Sequence, residues 1–127
     1  MAGESILIVD DTPANLKLVR VLLTGAGYDV RTAVDAESAL ALLATDAPRM
    51  ILMDLQLPKM DGLTLTRQLK ADPRYAHTLI VALTAYAMKG DEEKARAAGC
   101  DGYITKPIDI ESFEQEIARL LARAASG

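Results

Sequence analysis

Five short apolar segments recur along this chain, and they constrain its fold more than any other feature. They read SILIVD, YDVRTA, RMILMD, TLIVAL and CDGYIT, and they occupy residues 5–10, 28–33, 49–54, 78–83 and 100–105. The stretches between them have the apolar spacing of amphipathic helices, so strands alternate with helices. This order predicts an α/β fold in which right-handed crossovers build a parallel sheet with helices on both faces.

Residue types at the predicted helix ends agree with this order. Thr12 is suited to cap the first helix, with Pro13 at its first position, and Asp35 is suited to cap the second. Asp109 is the predicted cap of the fifth helix, which carries one apolar stripe. That stripe consists of Ile110, Phe113, Ile117, Leu120 and Leu121. The second and fifth segments are the least apolar, as is typical of edge strands.

The size and charge of the chain limit its class and its partners. With 127 residues, half of them hydrophobic, it fits a single compact domain over 1–127 with a core at 5–124. The net charge is -4 and no basic block occurs, which disfavours nucleic acid and anionic membranes as partners. The sequence has neither a secretory signal nor an apolar run of about 20 residues. A single cysteine, Cys100, is compatible with a reducing compartment, so we expect a cytoplasmic protein.

Polar side chains stand where four of the predicted strands end. Asp10 and Asp11 follow the first strand, Asp54 ends the third, Thr84 ends the fourth and Lys106 follows the fifth. Because the carboxyl ends of parallel strands meet at one edge of a sheet, we expect these groups to converge. Three neighbouring carboxylates repel one another unless a cation compensates them, and oxygen ligands of this kind suit Mg²⁺.

Each of these residues taken alone has an ordinary structural explanation. Asp10, Asp11 and Asp54 are common turn residues, Thr84 is a polar strand end, and Lys106 is a typical surface lysine. Their convergence on one edge favours a functional site instead. With an aspartate as nucleophile, a metal ion and the lysine would neutralise charge on a transferring phosphoryl group.

Four motifs identify the family that this chain resembles. ILIVDD, MDLQLPKMDG, ALTA and YITKP stand in the order and spacing of response regulator receiver domains, the CheY-like family of bacterial two-component signalling. The resemblance covers residues 5–124 and implies a flavodoxin-like three-layer sandwich, with a five-stranded parallel sheet of order 2-1-3-4-5 and five helices. Residues 84–108 are most similar to the DivK-like single-domain regulators and to the receivers of hybrid kinases.

The resemblance also implies a role for each residue at the sheet edge. Asp54 would accept a phosphoryl group from the phosphohistidine of a histidine kinase or phosphotransfer protein. Asp11 and Asp54 would bind Mg²⁺ directly, together with the backbone carbonyl of Gln56, and Asp10 would act through a metal-bound water. Mn²⁺ is the alternative ion. Lys106 would pair with the phosphoryl oxygens.

A switch is implied by the same resemblance. Thr84 would donate a hydrogen bond to the phosphoryl group and draw its loop inward, which opens space into which Tyr103 turns. The surface of the fourth helix, fifth strand and fifth helix would then change for a downstream protein. The peptide bond between Lys106 and Pro107 would be cis, although few X-Pro bonds are.

Two further positions are implied to tune how long the phosphoryl group stays bound. They are the residues two places beyond the phosphorylated aspartate and two beyond the threonine, here Gln56 and Tyr86. The bulky ring of Tyr86 is expected to hinder the attacking water and to slow self-dephosphorylation.

Three other residues are interpreted as structural. His77, the single histidine, precedes the fourth strand and is expected in a loop away from the acidic cluster. Cys100 is expected to be a small buried side chain. Gly62, after the MDLQLPKMD run, is expected to supply an unusual backbone angle.

The predicted protein is a receiver that catalyses only its own phosphorylation and dephosphorylation and is otherwise not an enzyme. It is expected to be a monomer or weak homodimer that signals through protein contacts. Alternatives are a receiver excised from a hybrid histidine kinase and a Mg²⁺-dependent phosphatase that forms an aspartyl phosphate. A flavin-binding module and a phosphorylation-independent scaffold are weaker alternatives. The initiating Met1 favours a natural single-domain protein over a fragment.

Overall fold

The structure, a computed structural model, describes residues 3–45, 47–55, 62–84, 90–105 and 108–126. Its strands are β1 (Ser5–Val9), β2 (Asp29–Ala33), β3 (Met50–Asp54), β4 (Leu79–Thr84) and β5 (Gly102–Thr105). Its helices are α1 (Pro13–Gly25), α2 (Ala36–Leu43), α3 (Gly62–Lys70), α4 (Asp91–Ala98) and α5 (Ile110–Ser126). A short 3₁₀ helix at Pro73–Tyr75, which the sequence did not predict, precedes β4.

All five strands pair in parallel in the order β2-β1-β3-β4-β5, which confirms the predicted sheet. The central strands β1, β3 and β4 are nearly continuous apolar runs, and their residues are buried from end to end apart from the first residue of β1 and of β4. The two less apolar strands, β2 and β5, lie at the edges as expected, because an edge strand needs less apolar cover.

Alternate residues of each strand contribute their side chains to two separate cores, one on each face of the sheet. Leu7 and Val9 of β1 join the core covered by α2, α3 and α4, whereas Ile6 and Ile8 join the core covered by α1 and α5. This follows from the two-residue period of a strand. The result is the predicted three-layer sandwich. In the described part of the chain, no helix combines the length and apolar character that a membrane span requires.

Two of the three predicted helix caps form as expected. The Asp35 side chain accepts a hydrogen bond of 2.7 Å from the backbone N–H of Ser38, and the Asp109 side chain accepts one of 3.1 Å from that of Glu111. Thr12 does occupy the N-cap position of α1, but its side chain makes no capping hydrogen bond. The first turn of α1 is instead tied to a neighbouring aspartate, described below.

The predicted apolar stripe of α5 is correct except at its first member. Phe113, Ile117, Leu120 and Leu121 are buried in the α1 and α5 core, but Ile110 is 59% exposed. Burial along α5 begins only at Phe113, so the first turn of the helix lies outside the packed part. Helical spacing alone does not reveal where along a helix the contact with the sheet starts.

A polar clasp closes the amino edge of the sheet, at the starts of β4 and β5. Lys70, at the end of α3, donates hydrogen bonds from Nζ to the carbonyl oxygen of Thr78, at 2.7 Å, and to Oδ2 of Asp101, at 2.9 Å. The same Oδ2 accepts the backbone N–H of Ile80 at 2.9 Å. We call this the Lys70–Asp101 clasp. It joins α3 to the amino ends of two strands through partly buried groups.

Gly99 makes room for the clasp. Its φ of +112° is in the left-handed region, and a Cβ atom there would lie 2.8 Å from Cγ of Lys70. The lysine stem therefore runs directly over the glycine at the end of α4, and only glycine satisfies both the angle and the space.

We expect Asp101→Ala to lower the free energy of unfolding by about 1–3 kcal/mol, because it leaves the Ile80 N–H without its acceptor and removes the carboxylate partner of Lys70. Urea unfolding followed by circular dichroism measures this. The control is Arg96→Gln, which removes an exposed pair with Glu92 and should change stability by less than about 0.5 kcal/mol. Equal losses in the two variants would contradict a special role for the clasp.

Candidate functional site

Two buried aspartates lie side by side at the carboxyl edge of the sheet. β1 and β3 are neighbouring strands, and Val9 of β1 pairs with Met53 of β3. Asp10 and Asp54 are the next residues along these two strands, so they lie beside each other. Both aspartates are only 1% exposed, whereas Asp11 is exposed. The convergence expected from the sequence is therefore present for all three acids.

The three carboxylates form a compact set of oxygen ligands. One oxygen from each of Asp10, Asp11 and Asp54 can be chosen so that all three atoms lie within 4.8 Å of one another. Burying two carboxylates so close together is costly unless a positive charge accompanies them. Oxygen-only ligands suit a hard divalent cation, and the exposed third member leaves room for water on the ion. These residues fit a Mg²⁺ ion.

The carboxylate of Asp10 is held by the start of α1. Its Oδ1 accepts the backbone N–H of Thr12 at 2.9 Å, and its own N–H donates to the carbonyl oxygen of Ala33 at 3.0 Å. The bond to Thr12 links the orientation of the acid to the first turn of the helix, since Pro13 fixes the backbone at the next residue. The sequence suggested Thr12 as the capping side chain, whereas the aspartate supplies the side-chain acceptor.

Gly62 packs directly against the backbone of Asp54. A Cβ atom at Gly62 would come within 2.4 Å of the Asp54 carbonyl oxygen and 2.9 Å of Cα of Leu55. The Gly62 N–H also donates to the Leu55 carbonyl oxygen at 3.2 Å. The expectation of an unusual backbone angle at Gly62 was wrong, because this glycine is not among those with positive φ. It is required by close approach, which a single sequence does not reveal.

Thr84 and Tyr103 lie on the two strands beyond β3. Asp54 pairs with Leu83, so Thr84 follows one residue further along β4, and it is fully buried. Tyr103 lies on β5 beside Ala82. Its ring packs against the core on the α2, α3 and α4 side.

The hydroxyl of Tyr103 is buried and has no hydrogen-bond partner in the described part of the chain. Burial raises the pKa of this hydroxyl, and the nearby carboxylates of Asp91 and Glu92 raise it further. An unsatisfied buried hydroxyl costs about 1–3 kcal/mol.

Four predicted site residues lie outside the described residues. These are Gln56, Tyr86, Lys106 and Pro107. Their roles therefore remain predictions. These are metal binding by the Gln56 carbonyl, the cis bond between Lys106 and Pro107, the pairing of Lys106 with phosphoryl oxygens, and the effect of Gln56 and Tyr86 on phosphoryl lifetime. The residue before the lysine, Thr105, pairs with Thr84 across β4 and β5.

The residues interpreted as structural agree with that interpretation where the structure describes them. His77 is exposed and precedes the amino end of β4, at the opposite end of that strand from the acids. Cys100 is buried, and burial raises the pKa of its thiol, which disfavours the reactive thiolate.

The sequence matches the response regulator receiver domain family over residues 6–118, and the chain belongs to that family. The fold and the acidic edge are accordingly those of a receiver in two-component signal transduction. Among named relatives, the chain is 42% identical over 121 residues to the polar-differentiation response regulator DivK of Brucella anthropi. That match covers 95% of this chain and 98% of the relative.

Solved structures agree with the family. The receiver domain of sensor histidine kinase PA1611 from Pseudomonas aeruginosa is 33% identical, with a TM-score of 0.85 over 95% of this chain and 99% of that one. That protein was crystallised with a magnesium ion coordinated in its active site cleft. The chemotaxis protein CheY4 of Vibrio cholerae is 28% identical, with a TM-score of 0.87 over 94% of this chain and 99% of that one. The predicted resemblance is confirmed.

We expect Gly62→Ala to lower the free energy of unfolding by about 1–3 kcal/mol, because the new methyl group must displace the Asp54 backbone. The matched control is Gly25→Ala at the end of α1, where a Cβ meets nothing within 4 Å. That control should leave stability unchanged or raise it by up to about 1 kcal/mol. Urea denaturation of both variants tests the difference, and a neutral Gly62→Ala would show that the contact is easily relieved.

Proposed function

We propose that Asp54 is the phosphoryl acceptor of this receiver. The observation that carries the proposal is the juxtaposition of buried Asp54 with buried Asp10 and exposed Asp11, whose oxygens lie within 4.8 Å. Asp54 is the last residue of a central strand, so its backbone is fixed while its side chain stands at the edge where ligands of parallel sheets bind.

The proposed reaction is transfer from a phosphohistidine of a partner protein. An Asp54 carboxylate oxygen bonds to phosphorus while the phosphorus–nitrogen bond breaks, and the bonding pair returns to the imidazole nitrogen. In dephosphorylation, a water oxygen bonds to phosphorus while the bond from phosphorus to the Asp54 oxygen breaks. The proton of the water passes to solvent, and inorganic phosphate leaves. The protein acts mainly by positioning and by charge, as phosphoryl transfer requires.

Asp10, Asp11 and Asp54 are the residues that would hold Mg²⁺. When bound, the ion neutralises charge on the phosphoryl oxygens. The oxygen-only ligands support this assignment, and so does the magnesium ion in the cleft of the Pseudomonas receiver. Coordination by the carbonyl of Gln56, indirect contact through Asp10, and use of Mn²⁺ belong to the same proposal.

Lys106 is proposed to pair with the phosphoryl oxygens. Support comes from β5, because its last residue, Thr105, lies opposite Thr84 and the lysine follows directly. A cis peptide bond between Lys106 and Pro107 is part of the same proposal.

Thr84 and Tyr103 are proposed to form the switch. Thr84 is buried one residue beyond the partner of Asp54, within the same strand ends. Tyr103 supports the proposal through its buried hydroxyl, which has no partner among the described residues. A charge change at Asp54 would move Thr84 and change the balance between inward and outward positions of the ring.

The proposed partners are a histidine kinase or phosphotransfer protein and a downstream protein that contacts α4, β5 and α5. A single receiver domain over residues 1–127 in the cytoplasm is proposed, as a monomer or weak homodimer. Its single five-stranded sheet supports the one-domain assignment. The family match disfavours the phosphatase and flavin alternatives, and the buried acids disfavour a phosphorylation-independent scaffold.

Incubation with acetyl phosphate and Mg²⁺ should add one acid-stable, base-labile phosphoryl group, and Asp54→Asn should abolish it. Intact-mass spectrometry measures the addition, and EDTA should suppress it. The control Asp29→Asn changes an exposed acid at the amino end of β2 and should leave labelling intact. Labelling that survives Asp54→Asn would move the acceptor to another residue.

Tyr86→Ala is expected to shorten the lifetime of the aspartyl phosphate several-fold, because a smaller side chain admits the attacking water more readily. The decay of the phosphorylated protein after removal of acetyl phosphate gives the rate. Tyr86→Phe keeps the ring and should decay like the unaltered protein. A Tyr86→Ala variant that decays no faster would refute the effect of bulk.

A further inference from the structure

The outer edge of β2 carries backbone groups that no other described strand pairs with. In the described sheet β2 is an end strand, and it pairs with β1 alone. The N–H of Asp29 donates to the carbonyl oxygen of the residue just before β1, and the carbonyl oxygen of Ala33 accepts the N–H of the residue just after β1. Because the direction of these groups alternates along a strand, the N–H and C=O groups of Val30 and Thr32 face outward.

A groove of about 620 Å³ lies between α1 and this edge. We call it the α1–β2 groove. Leu16 and Val21 contribute apolar surface from α1, and Thr32 lines the groove from β2. Val21 and Val34, which directly follows β2, are two of the three large apolar side chains that are exposed in the described ranges. Exposed apolar groups beside an open strand edge form a surface on which another chain can pack.

The charges of the α1–β2 groove have one sign. Lys17 and Arg20 line it, and its described lining contains no acid. All of α1, which reads PANLKLVRVLLTG, lacks aspartate and glutamate. Neither cation forms an ion pair within the part of the chain that the structure describes, whereas Arg74, Arg96 and Arg119 each pair with a nearby acid. An anionic partner would therefore meet two cations that no described acid compensates.

The dimensions of the groove match an extended chain. Its lining runs along α1 from Pro13 to Gly25, which is about 18 Å of helix. An extended segment of about five or six residues has the same length. Lys17 and Arg20 are three residues apart on the helix, so their Cβ atoms are about 5–6 Å apart. Side chains at alternate positions of a strand are separated by about 7 Å. Two acids at alternate positions would therefore reach both cations.

We propose that the edge of β2 accepts an extended acidic segment of another protein as an additional strand. The backbone of the segment bonds to the outward groups of Val30 and Thr32, and its acids on the α1 side reach Lys17 and Arg20. In this mode of recognition, backbone hydrogen bonds supply affinity and the alternate side chains supply specificity. The inference does not rest on the proposed function of Asp54.

A second copy of this chain suits the edge less well. A two-fold interface brings each surface against itself, so Lys17 and Arg20 would face the same cations of the other copy. Like charges opposed across an interface cost free energy. On the other face of β2, the exposed side chains of Asp29 and Arg31 are typical of an edge protected against unselective pairing. The partner is therefore a different protein that is anionic on the α1 side.

The probe is a short peptide in which threonines alternate with valine, glutamate, glutamate and valine. It is titrated into the full ¹⁵N-labelled protein, and amide hydrogen exchange is followed by NMR. In the free protein, the amides of Val30 and Thr32 should exchange faster than that of Arg31, which faces β1. Binding should slow exchange at the two outward amides by roughly tenfold or more and leave Arg31 unchanged. A peptide with lysines in place of the glutamates should not bind.

Two methylated forms of the peptide test whether its backbone pairs with β2. One form is N-methylated at the valines and glutamates, and the other at the threonines. Methylation removes an N–H donor and blocks the edge on the side that the N–H faces. Because N–H direction alternates along a strand, one form should lose binding and the other should keep it. Equal affinities of the two forms would overturn strand addition.

Variants of the protein test the cations and the edge separately. Lys17→Glu and Arg20→Glu should each weaken binding roughly threefold, and together roughly tenfold. Thr32→Pro removes an outward N–H but no bond to β1, and proline is tolerated at such edge positions, so it should abolish binding. The matched control is Lys94→Glu, which reverses an exposed cation on α4 and should leave the affinity unchanged.

Three results would overturn the proposal. The first is an affinity that Lys17→Glu and Arg20→Glu do not change, or that Lys94→Glu lowers equally. The second is exchange at Val30 and Thr32 that the bound peptide does not slow. The third is slow exchange of these two amides in the free protein, together with a dimer in sedimentation. The methylated peptides test the same pairing in the unaltered protein, so the outcome does not depend on the folding of Thr32→Pro.

Discussion

The burial of two aspartates side by side is the constraint on which the rest of this structure depends. Asp10 and Asp54 end neighbouring central strands, and each is 1% exposed. Two unit charges about 5 Å apart repel by roughly 3 kcal/mol at an effective dielectric constant near 20. That is a large part of the 5–15 kcal/mol that stabilises a typical domain. A cation bound at this edge would offset that repulsion.

Charged side chains are arranged differently at the two edges of the sheet, as an ion pair at one and as a cluster of acids at the other. At the amino edge, Lys70 forms an ion pair with Asp101, and the same carboxylate oxygen also accepts the backbone N–H of Ile80. Opposite charges there hold α3 and the two strands together. At the carboxyl edge, three acids gather around a space that fits a cation. The clasp fixes where β4 and β5 begin, at the ends of those strands opposite the acids.

Strand and helix order and the meeting of the three acids followed from the residues, because they depend on local periodicity and on one topological rule. The order of the strands in the sheet came from the resemblance to receiver domains. What the sequence did not reveal depends on contacts between distant segments. The exposure of Ile110 depends on where α5 meets the sheet. The need for Gly62 depends on an approach to the Asp54 backbone, and the clasp depends on a lysine and an aspartate 31 residues apart.

Under the proposed function, a change at Asp54 would have to reach α4, β5 and α5, and the magnitudes on that side of the sheet bear on this proposal. The hydroxyl of Tyr103 has no hydrogen-bond partner in the described part of the chain, and an unsatisfied buried hydroxyl costs about 1–3 kcal/mol, which is the range of typical coupling between two sites. The neighbouring helix α4 buries only the small side chains of Ala95 and Ala98, so its displacement exposes little apolar surface. Each 1.4 kcal/mol changes a two-state ratio about tenfold. The proposed switch would therefore need only a small free-energy change beside a helix that buries little apolar surface.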